Sequence, residues 1–423
     1  MNPAPDAQCR IVDPDVLAAI RRPIPEGLPE AVVLPNLDGF SLTGVAGLIE
    51  SLFGATGETP PLAAALGANR ALRVILLVLD GLGLLQLATL CAQGAVPALA
   101  ALVESGRLQP ITSVFPSTTA TALASLATGL DPIAHGMLGY RLFLREIPAI
   151  TDMLRLSIVG TESAGTALSA GLDLESLFTA QTLCQRLGAS GVATHALLHR
   201  PIVGSGLSKI LYRGCSHVHS AASFDDMCVA TRQILDRKEG ATFVSLYWSG
   251  LDSVGHARGP NSEAFLAEAR TVDATLGREL LPALEDVLLL VTADHGMVPM
   301  RPEDYIPFAS IDGGLPDRVT LPPTGESRAN YLHTGDAESP DPDSVVELPG
   351  GLLHLSVERA LEIGLFGRDD PHTEAHKRIG QELIVATANA GILQPYPNSV
   401  RLPGMHGGLT EDEMLVPLIA ASF

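Results

Sequence analysis

The chain has 423 residues and a formal net charge of −20, and 46% of it is hydrophobic but only 4% aromatic. A chain of this length buries a large, mainly aliphatic core, as one large domain or two smaller ones. The acidic balance opposes binding to a nucleic-acid polymer and gives no sign of a membrane-surface role. It permits a small phosphate substrate, because bound metal ions reverse the local field.

Five cysteines, Cys9, Cys91, Cys184, Cys215 and Cys228, stand far apart with no C-x-x-C. Their odd number and wide spacing argue against a disulfide framework or a cysteine-zinc cluster. The first residues carry no basic segment followed by an apolar one, and the longest apolar runs, near 74–79 and 287–291, are too short to span a bilayer. We read these features as a soluble cytoplasmic protein, with no membrane partner and an oligomeric state that the sequence leaves open.

Residues 1–65 are rich in Pro and Gly, with short helical patterns at 13–22 and 42–53, and read as a wrapping N-terminal extension. Residues 73–83 form the first clear buried strand, closing on Asp80-Gly81. Ligands of open α/β sheets bind at the carboxyl ends of strands, although an Asp before Gly is also an ordinary turn residue. A helix is predicted through 84–105. A β-prone run, 111–115, then ends at Pro116, and Ser117, Thr118 and Thr119 open an Ala/Leu helix that stops at Thr128-Gly129. Hydroxyl groups are thereby set at a helix N-terminus, where free N–H groups and the dipole favour an anion. Taken alone, this stretch reads as a Ser/Thr cap; the other Asp and His segments change that reading. His135, between Pro132 and Gly136, reads as a hydrogen-bonded structural histidine.

A strand is predicted at 192–198, followed by a loop, 201–214, whose cations Lys209 and Arg213 either meet substrate phosphate or are solvated. The 242–247 strand leads to Asp252 and His256, which share a face if the chain turns into a helix there, half of a metal site. Asn261 or Ser262 then caps a helix with Phe265, Ala269, Val272, Leu276 and Leu280 on its apolar face. The 287–291 strand runs into Asp294-His295-Gly296, where a sharp turn allowed by Gly296 lets both side chains bind one metal. Residues 301–380 read as an inserted cap, with strands at 319–321, 328–333 and 352–357, a helix near 356–364, and an acidic loop at 336–344. Arg328, Tyr331 and His333 of that stretch can face the site. Residues 378–388 return to a core segment, helix or strand. His406, flanked by Gly404 and Gly407, precedes a last strand at 414–421.

Asp80, Thr119, Asp252, His256, Asp294, His295 and His406 together make a ligand set for two divalent ions beside one hydroxyl nucleophile. Carboxylate oxygen and imidazole nitrogen suit zinc first, with manganese or iron behind it. Two metals about 4 Å apart clamp the attacking and leaving oxygens of a displacement at phosphorus. Three Asp carboxylates offset most of the charge of two such ions, leaving a positive site for phosphate.

These segments resemble the alkaline phosphatase superfamily, and within it the type I phosphodiesterase/nucleotide pyrophosphatase family. The carriers are Val78-Leu79-Asp80-Gly81, Phe115-Pro116-Ser117-Thr118-Thr119 with Thr128-Gly129 and His135-Gly136, Asp252-Ser253-Val254-Gly255-His256 with Gly259-Pro260, Ala293-Asp294-His295-Gly296, and Met405-His406-Gly407, over roughly 70–300 and 380–423. The resemblance implies an α/β, alkaline phosphatase-like three-layer core, with a largely parallel sheet between helices, built from 66–300 and 381–423 with a small cap at 301–380. It implies one zinc on Asp252, His256 and His406, and a second on Asp80, Asp294 and His295 completed by Thr119. Thr119 is taken over Thr118 and Ser117 because it lies nine residues before Thr128, as in the family. The implied course is a phospho-threonine intermediate hydrolysed by water from the opposite face, on a small phosphodiester or nucleotide-like substrate.

Two positions depart from the pattern. Tyr140 stands where the family carries an Asn that helps hold a phosphate oxygen, and Thr118 where a Lys precedes the nucleophile. Oxygen binding then falls to metal, backbone N–H, the Tyr140 hydroxyl or a residue from elsewhere. The competing expectation is a phosphomonoesterase or phosphonate hydrolase on the same core, which needs an added cation; Arg141, Arg213 and Arg328 stand open for that role. A sulfatase lacks its Cys/Ser-x-Pro-x-Arg motif here, a phosphosugar mutase its Ser motif, and a metal-binding protein on a dead core would have lost a ligand or Thr119.

Overall fold

An uninterrupted aliphatic strand has no wet face, so it belongs in a sheet covered on both sides. The computed structural model describes residues 11–57, 59–237, 240–311, 314–335, 344–397 and 399–423. In it the strand Arg73–Leu79, buried along its whole length, lies at the middle of a seven-stranded sheet. The order is Arg107–Thr112, Leu415–Ser422, Leu288–Thr292, Arg73–Leu79, Thr242–Trp248, Ala193–His199 and His217–Ala221. Leu415–Ser422 runs antiparallel to both of its neighbours, and the other pairs are parallel. Helices flank the sheet and close one continuous aliphatic core around it. The register sets Val78 beside Tyr247 on one side and Thr292 on the other, so three strands end level.

The predicted helix over 84–105 is two helices, Leu84–Ala92 and Pro97–Ser105, bent by 107°. Pro97 lacks an N–H and cannot continue the first helix, but it opens the second at a position where no N–H is needed. Among the described residues no single helix is long and apolar enough to cross a membrane.

A second sheet has eight strands in the order Val345–Leu348, Leu352–Ser356, Glu382–Ala386, Ala329–Leu332, Thr324–Glu326, Arg141–Leu144, Ala149–Asp152 and Ser157–Ile158, with antiparallel pairing. The stretch expected as a cap therefore shares its sheet with 141–158 and 382–386. The strand expected at 319–321 is absent; there Thr320 N–H donates to His333 C=O at 2.7 Å, outside any ladder. Residues 336–343 of the acidic loop lie outside the described residues. The segment 378–388 is both of its expected alternatives: the helix Ala375–Ile379 turns at Gly380 (φ +68) into the strand Glu382–Ala386. Residues 11–57 lie against the core, with Val33 N–H on Leu409 C=O at 2.8 Å and Arg22 on Ile363 C=O at 2.8 Å.

Candidate active site

The carboxyl ends of four parallel strands deliver the chemistry to one edge of the sheet. Asp80 follows Arg73–Leu79. Asp294 and His295 follow Leu288–Thr292. Asp252 and His256 lie on the helix Gly250–Arg258 that follows Thr242–Trp248, and Thr119 opens the helix Thr119–Thr128 after Arg107–Thr112. His406 comes from the far end of the chain, behind a two-residue strand, Gly404–Met405, paired with Val298–Pro299. Two glycines let these segments converge. Gly81 has φ +77, and Gly296 passes so near the 412 backbone that a Cβ on it would lie 1.9 Å from Asp412 O. Gly296 is thus required by close approach, where the sequence suggests only a turn.

The three imidazoles share one device. The Nδ1–H of His256 donates to Gly404 C=O at 2.8 Å, that of His406 to Ser117 C=O at 2.9 Å, and that of His295 to Gly296 C=O at 3.0 Å. Each Nε2 is left as a bare lone pair turned toward the carboxylates, the tautomer in which histidine binds metal. Asp252 Oδ1, His256 Nε2 and His406 Nε2 lie 3.3, 3.1 and 3.7 Å from one another. His295 Nε2 lies 3.5 Å from Asp80 Oδ1 and 3.4 Å from Asp294 Oδ2. Asp80, Asp294 and His295 can hold one ion, and His295 also stands in range of the Asp252–His406 group. Asp80 Oδ1, Asp252 Oδ1 and Asp294 Oδ2 are buried and accept no hydrogen bond among the described residues. Buried anionic oxygens without donors are costly unless a cation faces them. Burial, and then the charge of Asp294, push the Asp80 carboxyl well above the usual carboxylate range, and burial raises Asp252 too. Burial, with His295 and His256 alongside, pushes the His406 imidazolium well below its usual range, which keeps the ring neutral. The donor set, its tautomers and its orphaned oxygens fit two divalent ions.

Neighbouring groups fix these side chains. Tyr247 O–H donates to Asp80 Oδ2, leaving Oδ1 to the cluster. Asp294 Oδ1 accepts the backbone N–H of Gly81 at 3.2 Å and of His295 at 3.0 Å. Ser113 O–H holds the Asp294 carbonyl at 2.6 Å.

Thr119 Oγ1 lies 3.2 Å from His295 Nε2, at the N-terminus of a ten-residue helix that has no side-chain cap. Its first N–H groups are thus available to an anion. Thr119 lies in the wall of a cleft of 360 Å³ that also reaches Asp252, His256, His406, Tyr140, Arg141 and Glu326. Burial raises the pKa of the Tyr140 hydroxyl, and Asp152, with which it is hydrogen-bonded, adds to that. Glu326 is hydrogen-bonded to Thr118, and burial pushes its carboxyl up to about 8.

The structure brings all seven predicted ligands together, and it puts Tyr140 in the cleft wall. Lys209, Arg213, Arg328 and Tyr331 are elsewhere. Lys209 is exposed on the helix Gly206–Leu211. Arg213 is tied to Glu175 at 2.7 Å and to Ala180 C=O at 2.8 Å. Arg328 is fully buried against both oxygens of Glu413, at 2.5 and 2.7 Å, and Tyr331 donates to Leu138 C=O at 2.5 Å. Burial against fixed internal partners takes the last two out of reach of substrate. His333 is also inward, 3.2 Å from Thr324 Oγ1. His135 is a satisfied core group, between Ser125 Oγ at 3.0 Å and the Met137 N–H at 3.1 Å. Nothing in the sequence singles out Tyr247, Ser113 or Glu326, since a Tyr inside an apolar strand or a Glu in a short strand carries no local signal of its direction.

A largely parallel sheet with carboxylates and imidazoles at its strand ends, beside a helix-borne threonine, defines an alkaline phosphatase-like fold. The sequence model of the type I phosphodiesterase / nucleotide pyrophosphatase family matches residues 74–408, and the chain belongs to that family. Comparison with curated protein sequences finds no match. Among solved structures, murine ectonucleotide pyrophosphatase / phosphodiesterase 5, in an inactive form in complex with AMP, is 19% identical with a TM-score of 0.62, covering 82% of this chain and 87% of that one. The human counterpart is 21% identical with the same TM-score and coverage. Phosphonoacetate hydrolase from Sinorhizobium meliloti 1021, in complex with phosphonoacetate, is 20% identical with a TM-score of 0.58, covering 83% of this chain and 90% of that one. At these identities the likeness is one of fold.

Proposed function

We propose that the chain hydrolyses phosphodiester or phosphoanhydride bonds in small, nucleotide-like substrates, using two divalent metal ions, zinc first, and Thr119 as nucleophile. Family membership supports the broader statement, a phosphoric ester hydrolase. The finer reading is carried by one observation: three Nε2 lone pairs and three orphaned carboxylate oxygens converge beside the Thr119 hydroxyl.

In this reading Asp252, His256 and His406 would hold one ion, and Asp80, Asp294 and His295, with Thr119, the other. Bound there, the ions supply Lewis-acid charge that lowers the pKa of the Thr119 hydroxyl and offsets charge on the phosphoryl and leaving oxygens. Thr119 Oγ1 loses its proton and bonds to phosphorus as the bond to the leaving oxygen breaks, and the departing group takes up a proton. Water then attacks from the opposite face, breaks the Thr119–phosphorus ester and returns a proton to Oγ1. The uncapped N-terminus of the Thr119–Thr128 helix offers N–H groups to a phosphoryl oxygen, a task that Tyr140, engaged with Asp152, does not take from the family's Asn. A cytoplasmic setting belongs to the proposal, on the odd number and wide spacing of the five cysteines.

The test is hydrolysis of bis-p-nitrophenyl phosphate against p-nitrophenyl phosphate by the metal-loaded protein. The expected result is preference for the diester. The second reading, a phosphomonoesterase or phosphonate hydrolase, is favoured by Arg141 in the cleft wall, and preference for the monoester would establish it instead.

A further inference from the structure

Among the described residues Arg141 is the one Lys or Arg lining the cleft. Its guanidinium is held in place. It stands 4.6 Å from the centroid of the Tyr396 ring and 5.2 Å from that of Tyr140. Nη1 donates to Gln394 Oε1 at 2.9 Å, and Gln394 is itself fixed by donating to Thr324 C=O at 3.1 Å and Asn330 Oδ1 at 2.9 Å. Stacking on rings restrains the plane of a guanidinium and leaves its edge donors unspent. Arg141 forms no ion pair with a carboxylate among the described residues, and its Nε is buried without an acceptor. In a chain of net charge −20, a restrained and partly desolvated cation facing a cleft is a place for an anion.

Its position relative to Thr119 narrows the kind of anion. The backbone of Arg141 pairs with Gly325, the neighbour of Glu326. Glu326 is bonded to Thr118 and lies 3.9 Å from His406, at the nucleophile's end of the cleft. The contacts of the Arg141 guanidinium are with Gln394, Tyr396 and Tyr140, and among the described residues none is with Thr119 or the Asp/His cluster. A phosphoryl group beside Thr119 already meets the Asp/His cluster and the helix N-terminus, so an anion held by the unspent donors of Arg141 is a further group of the same molecule.

We propose that Arg141 is an anion subsite of the cleft, and that the substrate carries a second acidic group, phosphate or carboxylate, on the organic side of the scissile bond. This rests on the hydrolase reading above. The subsite makes the enzyme discriminate by a charge that the reacting phosphorus does not bear.

A matched pair of diesters tests it: p-nitrophenyl phenyl phosphate, and the same compound with a carboxylate at the 3 or 4 position of the phenyl ring. Binding is measured by calorimetry on the metal-loaded Thr119→Ala protein, with Arg141 intact, Arg141→Ala or Arg141→Lys. With Arg141 intact, a carboxylated diester should bind about tenfold more tightly than the plain one, the scale of one charge-assisted contact. Arg141→Ala should erase that difference, and Arg141→Lys, which keeps the charge but not the fork, should keep part of it. Equal binding of plain and both carboxylated diesters, or a difference that survives Arg141→Ala, overturns the proposal. So does a loss of p-nitrophenyl phosphate binding as large as that of the carboxylated diester, because both charges of that monoester sit on the reacting phosphorus. Failure of the underlying hydrolase reading shows separately, as no hydrolysis of either diester by protein with Thr119 intact.

Discussion

His256 and His406 face each other with their Nε2 atoms 3.1 Å apart, and each has already given its Nδ1–H to a backbone carbonyl. Two lone pairs at this separation repel unless a cation lies between them. The metal-loaded protein should therefore be more stable than the stripped protein, by about 4 kcal/mol at a thousandfold excess of metal over its Kd. His406→Ala should lose one bound ion. Thermal unfolding with and without chelator, together with the metal content of the purified chain, checks both.

Tyr247 offers a second test of the cluster, because its hydroxyl touches no other member and orients Asp80 alone. Tyr247→Phe removes that donor and keeps the ring in the Thr242–Trp248 strand. Metal affinity should fall about 10- to 100-fold, the usual scale for the partner of a ligand. Competition with a chromophoric chelator reads the affinity directly. An unchanged value would mean that Asp80 needs no positioning.

Gly296→Ala should be severe. The added methyl would meet Asp412 O at 1.9 Å and Gly83 Cα at 2.8 Å, and both are backbone atoms. Relief requires a backbone shift, either of the turn that carries Asp294 and His295 or of the 83 and 412 segments packed against it. A loss on the order of 3 kcal/mol or more is expected, with loss of bound metal. Denaturant unfolding and metal analysis of the variant are the checks.

His135 predicts a pH dependence outside the site. Burial, with His372 and Arg378 adding to it, brings its pKa down to about 3. The unfolded chain binds a proton at His135 first, near pH 6.5, so this contribution is complete above about 6.5 and is lost as pH falls toward the folded value. From pH 7 to pH 5 the loss is about 2 kcal/mol. His135→Gln should flatten that slope, and urea unfolding at the two pH values measures it.

The parts of the site that rest on local pattern are legible in the sequence. Asp80, Thr119 and Asp294 each follow an apolar run whose length and composition suit a strand, and Asp252 and His256 stand one helical turn apart on Gly250–Arg258. The parts that depend on distant segments are not legible. The strands Ser157–Ile158 and Thr324–Glu326 are too short to show a period, so the eight-stranded sheet that joins 141–158 to 324–386 leaves no trace in the pattern. Arg328 and Tyr331 pass for cleft residues for the same reason. Alternation tells which residues share a face of a strand, not which face meets the cleft, and here Glu413 and Leu138 claim the two side chains. The need for Gly296 lies in Asp412, more than a hundred residues away.

The most direct test of the central claim is the turnover of bis-p-nitrophenyl phosphate by Thr119→Ala, with metal content measured on the same preparation. Loss of the nucleophile should lower kcat by on the order of 10³-fold or more. The ions should stay bound, because Asp80, Asp252, Asp294 and the three imidazoles are untouched. Turnover near that of the unaltered protein, with the same metal bound, would contradict the account, since water or another residue would then be attacking phosphorus.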